Sequence, residues 1–465
     1  MTERAAVRTA ARRPSAASAA VRRPTAAPLL LLALIAFAWL PHAHGQEPGE
    51  ASDPLRASAA VSADLAFVAR DGGLAWLPAG ATEARRLGAS APQHAFPVWS
   101  PDGRRLAAIA RGGNGARVVV AEPRGGGASV ATWFDRADAP AIYLDWSSDG
   151  RSLLVLAVDA EAGFALHRVT AGDAEVLTRG APLYWDEAAD GRLLVHVGGG
   201  PRAGVRLLSP DGEVVREVGP AGAFRSPAVS EDGRWLAFAE RATGDVRRVV
   251  VERVPGAATA ASEPSVPRLG EDADRRALDY RGLAAFAWHP SRPLLAVARP
   301  LNDAPHAYGP LGALHADDGL FTPWLDTSVL AFWWAPDGER MAVLAADAPS
   351  PSRVAGAAPT KVQRSVASTR VQRSAPGFRL GFLDPDGGEV ARWIPLAPAA
   401  DFVLERLPHV DQYARSHALW TPDGGAFALA VQDAEGRPSV ALVDVGGQLR
   451  EIVPGSMPAF APVAR

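Results

Sequence analysis

The chain has 465 residues, of which 48% are hydrophobic and 21% charged, an ordinary globular balance that excludes disorder over most of the length. No cysteine occurs, which excludes disulfides, thiolate metal ligands, thiol nucleophiles and lipid attachment at a cysteine after a signal. Glycine (45) and proline (40) are abundant enough to favour many short strands over long helices, so an all-β fold is the first expectation.

At the N-terminus Arg4, Arg8, Arg12, Arg13, Arg22 and Arg23 precede an apolar run over 29–40, and Ala43-His44-Gly45 follow it. Twelve apolar residues are too few for a bilayer crossing, which needs roughly twenty, so this order predicts a secretory signal over 1–45 and not a retained anchor. Two Arg-Arg pairs admit the twin-arginine route, but neither precedes the expected aromatic and apolar residues. Without 1–45 the chain carries 42 basic and 50 acidic residues, a formal charge of −8, which disfavours nucleic acid as a partner. The expected location is extracytoplasmic, periplasmic or secreted, with no stable membrane span after cleavage, and 46–61 read as a short linker.

Beyond the signal one short pattern recurs. Trp99-Ser100-Pro101-Asp102-Gly103 returns as Trp146-Ser147-Ser148-Asp149-Gly150, Trp334-Ala335-Pro336-Asp337-Gly338 and Trp420-Thr421-Pro422-Asp423-Gly424. Weaker copies are Val229-Ser230-Glu231-Asp232-Gly233, Trp288-His289-Pro290-Ser291-Arg292, which has lost Asp-Gly, and Glu187-Ala188-Ala189-Asp190-Gly191 after Trp185. From Asp102 through Asp149, Asp190 and Asp232 the steps are 47, 41 and 42 residues, the length of one four-stranded propeller blade. Proline presets φ, aspartate bonds its own downstream backbone and glycine accepts a positive φ, so each copy closes a hairpin. The preceding tryptophan is expected to end the innermost strand and to fill the space between blades.

Ahead of the first copy, 65–68, 74–77 and 85–87 read as three strands lacking an innermost one, and 458–462 (Pro-Ala-Phe-Ala-Pro) resembles the missing strand. The expectation is a single β-propeller over 62–465 with about eight four-stranded blades, its ring closed by the C-terminal strand joining the first blade. Seven blades result if the Trp185 unit or the split unit is misread.

The tryptophan, small residue, proline, Asp-Gly, basic, apolar pattern resembles the repeat of TolB-like propellers and spans nearly all of 62–465. TolB itself has an additional N-terminal partner-binding domain, for which 46–61 are too few residues. Similar propellers precede the hydrolase domain of prolyl-oligopeptidase-type peptidases, but this sequence ends with its propeller, so the resemblance implies a fold and no peptidase activity.

Two insertions interrupt the repeat. The step from Asp337 to Asp423 is 86 residues, and the surplus is visible as 348–376, rich in Ala, Pro and Ser, with Arg353, Lys361, Arg364, Arg370 and Arg373 and no acidic residue. A solvated loop is the plainer expectation, and a basic arm on an anionic surface is the sharper one. A smaller insertion over 255–277 carries no visible chemistry.

Catalytic signatures are sparse. There is no Gly-x-Ser-x-Gly elbow and no phosphate-cradling loop, since Gly125-Gly126-Gly127 and Gly198-Gly199-Gly200 lack the lysine and the strand-to-helix setting. His289, His306, His315, His409 and His417 follow no metal-ligand spacing, and Asp317-Asp318-Gly319 reads as a turn. Neither a cofactor nor a bound metal is expected.

Four of the five tyrosines, Tyr143, Tyr184, Tyr280 and Tyr413, fall in the stretch of about eleven residues before a repeat turn, alongside His94, Arg225, Arg281, Arg415 and His417. Those stretches share one face of a propeller. The tyrosines either pack between blades or form, with the arginines and histidines, a binding face around the channel mouth. The expected function is an exported non-catalytic binding propeller that recognises a protein or cell-envelope component. The alternative is an enzyme at the channel mouth, lactonase-like or another metal-dependent hydrolase.

Overall fold

The computed structural model describes residues 55–88, 93–113, 115–124, 129–222, 226–242, 246–254, 275–281, 284–299, 309–346 and 377–463. Four sheets follow the expected unit directly, each holding four strands in chain order. Gln93–Trp99, Leu106–Gly112, Gly115–Ala121 and Val130–Phe134 make one, and Ala141–Trp146, Leu153–Asp159, Gly163–Thr170 and Asp173–Arg179 the next. Leu183–Glu187 to Val214–Gly219 and Ala228–Val229 to Arg275–Arg281 repeat the arrangement. In each, the strand carrying the repeat tryptophan or its equivalent stands at one edge, and three strands follow the turn.

Two larger sheets are units joined through one long strand. Phe321–Trp334 pairs with Gly309–His315 through its first part and with Met341–Ala346 through its second. Leu449–Phe460 pairs with Pro438–Asp444 over 449–454 and with Leu65–Ala69 over 455–460, with Leu65 opposite Phe460 and Ala66 opposite Ala459. The C-terminal strand therefore supplies the partner that the N-terminal strands lack. Residues 55–61, read above as linker, are packed here: Ala57 and Val61 are buried, and the Ala57 N–H donates to Thr82 O.

The repeat turn has a common chemistry. The Ser100 hydroxyl donates to Asp102 Oδ1 (2.6 Å) and accepts from the Arg105 N–H (2.9 Å), while the Arg104 N–H reaches the same carboxylate oxygen (3.0 Å). Ser147–Asp149, Ser230–Asp232 and Thr421–Asp423 repeat it at 2.6–2.7 Å. Glycine is favoured at Gly150 because φ is +66°, and a Cβ there would also lie a tight 3.3 Å from Pro101 of the preceding turn. In the copy without Asp-Gly, His289 takes the capping role. Its Nδ1 accepts from the Ser291 and Arg292 N–H groups (3.0 and 3.1 Å), and its Nε2 lies 3.0 Å from Gly338 O of the next turn and 3.0 Å from Arg292 Nε.

The tryptophans join neighbouring units by one recurring bond. The indole N–H of Trp146 donates to Val98 O, that of Trp288 to Ala228 O, that of Trp334 to Ala287 O and that of Trp420 to Trp333 O (3.1–3.3 Å); Trp99 reaches Ala459 O on the C-terminal strand at 3.0 Å. The rings of Trp99, Trp146, Trp288 and Trp420 are buried beside these bonds and that of Trp334 half-buried, so each tryptophan both fills inter-sheet space and satisfies a carbonyl of a neighbouring inner strand. Between these sheets the core is shared: Val98 and Ile109 of one pack with Leu144 and Val155 of the next.

The surplus between Asp337 and Asp423 has two parts. The basic segment with Arg353, Lys361, Arg364, Arg370 and Arg373 lies outside the described residues. A second part, 397–418, is described and helical: a π-helical turn Phe402–Arg406, a 3-10 turn Leu407–His409 and the helix Val410–Ser416.

Candidate functional site

The helical segment is set among the inner strands. Phe402, Val403, Leu407, Val410 and Ala414 present an apolar surface at helical spacing to the cluster of Trp333, Phe332 and Ala285. The other side is polar and bonded to residues far away in the chain. Gln412 Oε1 accepts from the Trp185 N–H (3.4 Å) and the Ser226 hydroxyl (3.1 Å), and its Nε2 donates to Trp185 O (3.1 Å) and Tyr143 Oη (3.4 Å). The Tyr143 hydroxyl donates to Ser416 Oγ (2.9 Å), Asp411 Oδ2 accepts from the Ser226 N–H (3.0 Å), and Tyr184 Oη lies 2.8 Å from His409 Nδ1. Tyr413 stacks on Phe96 at 4.9 Å and meets Tyr143 edge-on at 5.0 Å. One short segment thus touches side chains from at least four separate sheets.

Beside this segment opens a recess of about 570 Å³, lined by Asp186, Glu187, Asp411, Arg415, Trp288 and Trp334 among others. Arg415 holds Asp186 at 3.5 Å and donates to Trp185 O (3.3 Å). Asp186 Oδ2 accepts from the Val229 N–H (2.7 Å), and Glu187 accepts from the Ser148 N–H (2.5 Å) and faces Arg168 at 3.5 Å. Burial pushes the Glu187 carboxyl up to about 7. Burial, with the Glu187 and Asp186 charges added, pushes the neighbouring Asp145 up to about 8. Asp186 also rises through burial, with the Arg415 charge opposing. These carboxyls would gain from a further positive charge, because burial penalises their ionised forms. Among the described residues no group of three or more His, Asp or Glu is placed to hold a metal ion.

The residues singled out from sequence divide clearly. Tyr143, Tyr413 and His417 meet at the helical segment, Tyr143 and His417 being buried. Tyr184 and Arg415 are half-buried beside them. His94 is buried on its strand, with Nδ1 3.2 Å from Gly72 O. Tyr280 is buried and Arg281 exposed on Arg275–Arg281, the last strand of its sheet, away from the helical segment. Arg225 lies outside the described residues. Asp317-Asp318-Gly319 forms a turn in which the Leu320 N–H donates to Asp318 Oδ1.

Sequence reasoning passed over Asp145, Asp186 and Glu187. A signal existed: on the inner strands Asp145 and Asp186 stand where other copies carry Val98 or Trp333, and Glu187 stands where they carry the repeat tryptophan. Gln412 and Ser226 carried none.

No family model and no curated protein matches the chain. Solved structures do. Dihydro-heme d1 dehydrogenase NirN in complex with DHE aligns with 16% identity over 89% of this chain and 76% of that one, at a TM-score of 0.52. The chain has the β-propeller fold. An oligogalacturonate lyase in complex with manganese (11% identity, 77% and 75% of the two chains, TM-score 0.41) and TolB from Acinetobacter baumannii (12%, 76% and 81%, 0.35) are also similar in part. At 16% identity the likeness to the first of these shows the fold alone, and the chemistry must come from this chain's own residues.

Proposed function

We propose that the protein is an exported binding propeller of eight blades, closed through the C-terminal strand, which recognises a basic group of a protein or cell-envelope component in the recess beside Asp186 and Glu187. The carrying observation is the recess itself: the helical segment occupies the space among the inner strands and leaves an opening whose walls combine buried carboxyls with tryptophan. Such a wall suits an ammonium or guanidinium group, which gains both ion pairing and contact with an aromatic face. Arg415, from the sequence-derived binding set, lines the same recess. No helix among the described residues is long and apolar enough to cross a membrane, which is compatible with an exported protein.

A test is capture from a native envelope extract with residues 46–465 and with an Asp186→Asn/Glu187→Gln variant of unchanged near-UV circular dichroism. Partners held by the parent and released by the variant support the reading. Equal retention would sink it and move attention to the basic insertion.

One observation favours a second reading. A carboxyl at about 7, as at Glu187, is suited to general acid–base work near neutral pH, as an enzyme at the channel mouth would need. Hydrolysis of an ester or lactone panel, lost in Glu187→Gln and following a pKa near 7, would favour it over binding.

A further inference from the structure

The walls of the recess beside Asp186 and Glu187 divide by sheet. Its charged lining residues are Asp186, Glu187, Glu231, Asp411 and Arg415, which stand on or just after the inner strands Leu183–Glu187 and Ala228–Val229 and on the helix Val410–Ser416. The lining supplied by Ala285–Trp288 and Phe321–Trp334 bears no charged side chain and is rich in rings: Phe286, Trp288, Phe332, Trp333 and Trp334. His289, which follows the first of these strands, is held neutral near pH 7 by burial and by the Arg292 charge, which lower its pKa to about 4. Of the five rings only Trp334 is half-buried, the others being buried, so Trp334 is the one most open to a ligand.

A basic group alone would engage the carboxyl side and leave the aromatic side against water, with apolar surface still to be buried. The volume of about 570 Å³ falls within the roughly 300–1,000 Å³ of sites that enclose a whole small ligand and not one functional group. The recess also extends to the repeat turns, at Ser148, Glu231 and Pro290, so a chain reaching it from that face meets both walls.

We propose that the ligand of this recess is a peptide segment in which a basic side chain neighbours an aromatic one, the base lying against Asp186 and Glu187 and the ring against Trp334. Neighbouring residues of one chain supply such a pair, and a ring placed beside an indole gains area burial together with an offset-stacked or edge-on contact. The proposal rests on the reading of the recess given above and adds to it the second contact, which selects among basic ligands.

Calorimetric titration of the full mature chain with the N-acetyl amides of Phe-Arg, Ala-Arg and Phe-Gln tests this. Phe-Arg is expected to bind at least about tenfold tighter than Ala-Arg, and Phe-Gln not to saturate. In Trp334→Leu the advantage of Phe-Arg should fall to about twofold or less while the affinity for Ala-Arg is kept. Should that variant fail to fold, the parent alone decides, because burying the ring makes the heat-capacity change of Phe-Arg binding more negative than that of Ala-Arg binding. Equal affinities and equal heat-capacity changes for the two arginine peptides would overturn the proposal and leave the reading of the recess standing. Saturation by neither arginine peptide would remove both. An advantage of Phe-Arg undiminished in Trp334→Leu would also overturn it, by placing the ring elsewhere.

Discussion

The repeat turns and the helical segment 397–418 are stabilised by the same kinds of bonds but on opposite plans. Each turn is a closed local unit: Ser100, Asp102 and Arg104 satisfy one another within five residues, and the pattern recurs. The helical segment is used once and depends on distant partners, with Gln412 bonded to residues 186, 227 and 269 positions away. A local device can be read and repeated. A unique insertion is legible only through the sheets that enclose it.

The largest effect should therefore come from the helical segment. Gln412→Leu leaves the Trp185 backbone groups and the Ser226 hydroxyl without their buried partner, and unfolding in denaturant is expected to show a loss of about 3 kcal/mol or more. A loss below about 1 kcal/mol would put the segment on a par with a single turn and erase the distinction. Trp420→Phe keeps most of the ring but removes the N–H bond to Trp333 O, so a loss of about 1–3 kcal/mol is expected by the same method.

This ordering mirrors what could be read in advance. The Trp-x-x-Asp-Gly spacing located the sheets because each hairpin carries its own proline, aspartate and glycine. The segment 65–87 and the C-terminal 458–462 were matched because an unpaired strand set implies a partner elsewhere. The helical segment escaped notice because the surplus of the long step was assigned to the low-complexity stretch alone. Tyr143, Tyr184, Tyr413, Arg415 and His417 were found together by position, yet three of them are held in the interior by Ser416, Phe96 and one another, contacts that no spacing reveals.

Two titrations sharpen the comparison further. Asp145 has a folded pKa of about 8 against 3.8 ordinarily, so the fold holds its proton while the unfolded chain releases it, and this contribution to stability declines as pH rises from about 4 to about 8. His289 has a folded value of about 4 against 6.5, so its contribution is present above 6.5 and is lost as pH falls toward 4. Between pH 6.5 and 8 the His289 contribution is constant while Asp145 and, up to about 7, Glu187 lose theirs, so denaturant midpoints should fall with pH in the parent and less steeply in Asp145→Asn. An unchanged slope would show that Asp145 is ionised in the fold.

The smallest effect belongs to a single turn. Asp102→Ala removes one exposed cap and is expected to cost about 1 kcal/mol without altering the folded near-UV spectrum.

The recess beside Asp186 and Glu187 is proposed to receive a basic group. Trp288 and Trp334 line that recess, so its occupancy can be followed by tryptophan emission during titration with short peptides matched in length and bearing arginine, lysine or glutamate. A saturable change is expected with the arginine or lysine peptides, weakened at least about tenfold in Asp186→Asn/Glu187→Gln and absent with glutamate. Equal affinity of parent and variant for the basic peptides, or saturation by the glutamate peptide instead, would contradict it.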